Sequence, residues 1–156
     1  MEVHNIKSAF LPVDMNTAAI TGDRVSMAGA DRVAIMIHMG DSTAATVQFT
    51  LRQHNAATAG TSKDLSVDNV YYKKAGTATS FTKVSPVAAA ALYDVGTDFA
   101  SQEGVVVFEV LSEQLDNDNG FNWVSVDAAD SAAAKLGSAV YILRNVRNMP
   151  AYDSAL

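Results

Sequence analysis

The chain contains no cysteine. That absence removes disulfide frameworks, thiolate zinc sites, iron–sulfur clusters and cysteine nucleophiles together. A basic excess is also missing: 11 Lys and Arg stand against 17 Asp and Glu, for a net charge of −6. Non-specific nucleic-acid binding needs a net positive face, so this balance argues against it. No segment approaches the ~18 consecutive apolar residues of a membrane span. The first residues, Met1-Glu2-Val3-His4-Asn5-Ile6-Lys7, lack the basic and then apolar regions of a secretory signal. The expectation is a chain made in the cytoplasm, with no membrane partner.

What is present is globular. The 156 residues suit one domain, 49% are hydrophobic and 18% charged. A chain of this length buries roughly 70% of its unfolded surface and needs no metal or disulfide staple. Alanine is abundant, but it clusters with Thr, Gly and Ser in residues 56–62 and 75–80, which read as turns. The repeating apolar positions follow period two. Val33, Ile35, Ile37 and Met39 alternate with Ala34, Met36 and His38, and Val47, Phe49 and Leu51 alternate with Gln48, Thr50 and Arg52. The polar turn Gly40-Asp41-Ser42-Thr43 between them predicts an antiparallel hairpin.

Further strands are expected over residues 68–74 and 79–85 as a second hairpin, then over 89–95, 105–111, 121–127 and 138–145. The run 105–111 is almost wholly apolar and reads as a strand buried on both faces or across a sandwich. Residues 127–136 open with an acid, are Ala-rich and close at Gly137, which predicts a helix of one or two turns. The fold class is therefore all-β: an antiparallel β-sandwich or barrel-like domain with at most one or two short helices. Ile35, Ile37, Phe49, Leu51, Val107, Val124, Ile142 and either Phe108 or Trp123 are the expected core.

The two ends differ from the middle. Residues 1–23 show no sustained period and read as an extended N-terminal arm, 24–147 as the β-domain and 148–156 as a C-terminal tail. Phe10, Leu11, Val13, Met149 and Tyr152 are apolar residues in these aperiodic segments and are the candidate interface. The alternative for the N-terminal segment is an edge strand on its own domain.

Catalytic patterns were sought residue by residue. His4, His38 and His54 form no HExxH and no ligand pair, so no metal site is predicted. Gly60-Thr61-Ser62-Lys63-Asp64 falls short of a nucleophile elbow, and neither a GxGxxG nor a phosphate-binding loop occurs. Asp116-Asn117-Asp118-Asn119-Gly120 resembles a calcium loop, but its Gly falls at position five and Asp127 takes the twelfth place. It reads first as a polar turn. Glu109 and Glu113 are readable as an acid/base couple, though a strand glutamate paired with Arg144 or Lys135 is the plainer account. Lys73-Lys74 and Arg144 with Arg147 are small basic spots. Trp123 with Phe121 is either core or a sugar-stacking platform. No enzyme activity and no cofactor are expected.

Taken over its whole length, the chain resembles the small structural proteins of tailed-bacteriophage virions, of the head decoration or capsid cement type. The likeness is carried by Tyr93-Asp94-Val95, Val105-Val106-Val107-Phe108-Glu109-Val110 and Leu115-Asp116. It continues through Leu136-Gly137-Ser138-Ala139-Val140-Tyr141-Ile142-Leu143-Arg144, Arg147 and a Pro-containing tail. The resemblance implies a β-sandwich or barrel-like fold, docking on the outer surface of the major capsid protein, and self-association with a trimer favoured. It implies a place in the virion, assembled in the host cytoplasm. Tail or head–tail components and carbohydrate- or receptor-binding β-modules are the alternatives.

Overall fold

Alternating apolar residues place one face of each strand against a common core, and two antiparallel sheets meet across it. The computed structural model describes residues 5–42, 47–67, 69–74, 80, 82–84, 92–94, 99 and 102–144. Its strands are β1 (Asn5–Asp14), β2 (Val25–Ser26), β3 (Arg32–Ser42), β4 (Gln48–His54), β5 (Ser62–Asp64) and β6 (Asn69–Lys74). They continue with β7 (Thr82–Val84), β8 (Leu92–Asp94), β9 (Gly104–Leu111), β10 (Trp123–Ala128) and β11 (Lys135–Arg144). One sheet has the order β1-β11-β3-β9-β6-β7; the other runs β2-β10-β4-β5, with β8 also on β4. Two 3-10 turns, Ser112–Gln114 and Asn117–Asn119, connect β9 to β10. The all-β sandwich expected from the alternation is the fold observed.

The core sits between the inner faces. Val33, Ile35, Ile37 and Met39 of β3, Val106, Phe108 and Val110 of β9, and Tyr141 and Leu143 of β11 come from the six-stranded sheet. Phe49 and Leu51 of β4 and Val124 and Val126 of β10 come from the other. Phe108 stacks edge-on to Phe49 at 6.4 Å and lies tilted against Tyr93 at 4.8 Å. Val107, Ile142 and Trp123, read as core or possible core, are only half-buried because they point outward. A wholly apolar run leaves the register open; once Phe108 and Tyr141 face in, the strand period turns their neighbours out.

The structure corrects four local expectations. First, β3 and β4 form no hairpin: β3 is held between β11 and β9, and β4 lies in the opposite sheet. Second, of the two readings of residues 105–111 the sandwich one holds: β9 alternates between buried and half-buried residues and is not buried on both faces. Third, residues 127–136 are the end of β10, a connection and the start of β11 rather than a helix. Tertiary contacts override the alanine propensity there. Ser131 donates its N–H to the Met15 carbonyl at 3.0 Å, Ala132 adopts a left-handed φ of 56°, and its N–H bonds to the Asp130 carboxylate.

The fourth correction concerns the N-terminal segment, expected as an arm. Asn5–Asp14 is edge strand β1, paired antiparallel with β11. Its register shifts between Ser8 and Phe10 and again between Phe10 and Val13, and these bulges erase the period that would reveal a strand. The expected tail, residues 148–156, lies outside the described residues, as do residues 1–4 and 145–147. The second hairpin is realised as β6 paired with β7.

Tyr141 closes the sandwich. From β11 its hydroxyl accepts the Val126 N–H at 3.1 Å and donates to the Asp23 carbonyl at 2.7 Å. Gly22 makes this crossing possible, since any Cβ there would collide with the Val126 carbonyl oxygen. Tyr141→Phe is expected to lower the unfolding free energy by about 1–3 kcal/mol, because the buried Val126 N–H loses its partner. Phe49→Ala is expected to cost about 3–5 kcal/mol. Urea unfolding measures both, and a cost under about 1 kcal/mol for Phe49 would place it on the surface.

Candidate functional site

The candidate interface residues separate on the structure. Phe10 is buried in the core, which withdraws it from any partner, and Val13 is half-buried and packs partly against that core. Leu11 remains exposed at 74%. Met149 and Tyr152 lie outside the described residues. Sequence reasoning missed Ile6 and Leu136, the other large hydrophobics exposed among the described residues, at 64% and 61%. All three exposed side chains are on β1 or its neighbour β11. Among the described residues β1 is the edge of its sheet, and the three side chains are spread along it and β11, with Ile6 opposite Ile142 and Leu136 opposite Asp14.

The two outer sheet faces differ in chemistry. Across the six-stranded sheet, residues in register share one face. One row runs Ser8, Val140, Met36, Val107 and Tyr71; the next runs Ile6, Ile142, Ala34, Glu109 and Asn69. A third holds Ser138, His38, Val105 and Lys73. The centre of this face is apolar, and Val140, Met36, Val107, Tyr71, Ile142 and Val105 are all only half-buried.

The outer face of the other sheet is polar, and most of its groups are paired within the chain. His54 is buried, with its Nδ1 2.8 Å from Ser62 Oγ and its Nε2 2.8 Å from Ser125 Oγ. A neutral imidazole offers one donor and one acceptor, and the hydroxyls match either arrangement. Arg24 donates to the carbonyls of Ala56 and Ala59 at 2.8 and 2.6 Å, drawing the 55–61 connection beside His54. Arg52 lies 3.1 Å from Asp127 and 3.9 Å from Asp64. Desolvation, with the nearby charges of Arg24 and Arg52, lowers the His54 pKa to about 4. Burial raises that of Asp127, against the Gly22 N–H bond and the arginines.

Other candidates resolve into structural roles. Asp116 is held by Lys63 and by Asn119 at 2.7 Å, which depress its pKa, and Gly120 takes the left-handed φ of 76° that ends the turn. No group of three or more His, Cys, Asp or Glu side chains able to hold a metal occurs among the described residues. Lys135 does not meet Glu109: its ammonium is buried and donates to the carbonyls of Phe99 at 3.1 Å and Gln102 at 2.9 Å. Glu113 is exposed in a 3-10 turn, whereas Glu109 is on the apolar sheet face. Phe121 is buried beneath Lys63, 4.4 Å from its ring centroid, and forms no platform with half-buried Trp123.

No family model matches the chain, and no curated protein is similar to it. Among solved structures, SPBc2 prophage-derived protein YomS is similar over 89% of this chain and 95% of its own, at 11% identity and a TM-score of 0.31. A structure of infectious bursal disease virus Gx strain is similar at 12% identity over 94% of this chain and 37% of its own, with a TM-score of 0.26. Both scores fall below those of chains that share a fold. No helix among the described residues is long and apolar enough to cross a membrane.

The His54 site predicts a pH dependence with a definite sign. The ring's ordinary pKa of 6.5 falls to about 4 on folding, so the unfolded chain binds the extra proton between these values. This contribution to stability is complete above pH 6.5 and is lost as pH falls towards 4. Melting followed by circular dichroism should show His54→Gln less stable than the parent at pH 7, with the gap narrowing on acidification. A constant gap would show that His54 does not carry the effect.

Proposed function

We propose that the chain is a non-enzymatic structural protein of a tailed-phage virion, binding the outer surface of the major capsid protein and stabilising the head. The sequence resemblance to head decoration proteins supports the class. The observation that carries the contact is the exposure of Ile6, Leu11 and Leu136, spread along the paired strands β1 and β11. Three large apolar side chains left in water on neighbouring strands each offer roughly 1.5–3 kcal/mol to a partner that buries them fully. Copies repeated on a symmetric shell would turn such modest contacts into durable attachment. Neither a cofactor nor nucleic acid enters this role, and the acidic balance keeps the chain from the packaged genome.

Immunogold electron microscopy of particles from a phage encoding the chain tests the role. Label on heads is expected, and particles lacking the chain should lose their heads at lower temperature. Ile6→Ser with Leu11→Ser should leave the fold intact, since both side chains are exposed, yet reduce incorporation into particles. Label confined to tails would assign the protein to the tail or head–tail joint, and its absence from particles would overturn a virion role.

A further inference from the structure

We propose that Asn119 is a site of covalent modification, deamidating through attack by the Gly120 nitrogen whenever the turn that holds the pair opens. Of the nine asparagines, it alone precedes a glycine. Both residues are exposed in the connection from β9 to β10. The turn itself demands this dipeptide. Position 120 has a φ of 76°, which favours glycine, and with open space where a Cβ would stand nothing shields its backbone nitrogen on that side. Position 119 supplies an amide N–H to the Asp116 carboxylate at 2.7 Å, which an ionised acid could not do. The reaction needs water and no oxidant or reductant. The Gly120 nitrogen bonds to the Asn119 Cγ, the Cγ–Nδ2 bond breaks, and Nδ2 leaves as ammonia with the Gly120 proton. Water then opens the cyclic imide at either carbonyl, leaving aspartate or isoaspartate, the second with an extra methylene in the main chain.

In the closed turn both reacting groups are occupied. The Gly120 N–H donates to the Asn117 carbonyl at 2.9 Å, and the Asn119 carboxamide is drawn back to Asp116, three residues earlier. Phe121 donates its N–H to the Asp116 carbonyl at 3.1 Å, a further bond that opening puts at risk. Exposed turns open at a lower free energy than core strands, so the reaction proceeds through local opening and not global unfolding. Conversion changes what the turn does. Asp116 also binds Lys63 of β5, whose ammonium lies 4.4 Å from the Phe121 ring centroid. An acid at position 119 replaces a donor with a second negative charge at hydrogen-bond distance from the Asp116 carboxylate. Lys63 is then shared between two carboxylates, and the clasp between β5 and the β9–β10 connection weakens.

Incubation of the full chain in mildly alkaline buffer, followed by mass spectrometry of its proteolytic peptides, tests the site. Asn119 is expected to convert ahead of the other asparagines, and at least about tenfold more slowly in the folded chain than in guanidinium. Asp116→Ala removes the acceptor that restrains the carboxamide and should speed conversion in the folded chain at least about threefold. Should that variant not fold, the folded-against-denatured comparison on the parent decides alone. Asn119→Asp, which installs the product's charge, should melt below the parent with an unchanged circular dichroism spectrum. Another asparagine converting first, equal rates in the folded and denatured chain, a folded Asp116→Ala no faster than the parent, or an Asn119→Asp that melts with the parent would each overturn the proposal.

Discussion

The sandwich depends on the Tyr141 hydroxyl. A β-sheet whose edge strand is short leaves backbone groups without partners, and burial makes that costly. β2 pairs with only Trp123 and Val124 of β10, and the next isolated bridge joins Ile20 to Ala128. Between them Val126 faces the core side with its N–H unpaired by strand. Tyr141 reaches across from the opposite sheet to fill the gap and binds Asp23 with the same hydroxyl. One side chain thus joins both sheets and the connection between their first strands. Burial pushes its ionisation far above the ordinary range, keeping the hydroxyl a neutral donor and acceptor.

A second fastening closes the other end. Asp14, at the end of β1, accepts the Lys135 N–H at 3.0 Å, and Met15 exchanges backbone bonds with Lys135 and Ser131. The buried Lys135 ammonium then holds the carbonyls of Phe99 and Gln102. Desolvation lowers its pKa while Asp41 opposes the change. A buried cation matched to two carbonyls fixes where the chain before β9 must sit. Gln53 does comparable work beyond β9, accepting the Asp116 N–H at 2.8 Å and anchoring the turn that leads to β10.

The legible parts of the fold were those governed by local period. β3 and β4 alternate cleanly, so their inward residues could be named, and β6 with β7 could be paired across a short turn. Sheet membership was not legible, because the same alternation suits a hairpin and a strand that crosses to the opposite sheet. β1 was hidden by its two bulges, which displace Phe10 and Val13 from any fixed period. The helix expected near residue 130 failed because alanine propensity is worth tenths of a kcal/mol per residue, whereas Ser131 and Lys135 are tied to the distant Met15 and Asp14 and Asp130 closes a local turn onto the Ala132 N–H. Of the candidate contacts among the described residues, only Leu11 is exposed. Ile6 and Leu136 required knowledge of which strand forms the edge.

The contrast between the outer faces locates where binding free energy remains available. On the β4–β10 face, His54, Arg52, Arg24 and Asp127 already have partners, so a ligand there would have to replace contacts the chain makes with itself. The β3–β9 face has no such internal satisfaction: its apolar centre gains from losing water whatever covers it. Apolar area alone, however, would accept many partners and favour disordered association. The charges on the same face supply selectivity: Arg32, Arg144 and Lys73 share it with Glu109, and a cover that buries them without counter-charge loses more than the apolar centre gains. The apolar rows supply the attraction, and the charged positions around them set what a covering surface must match.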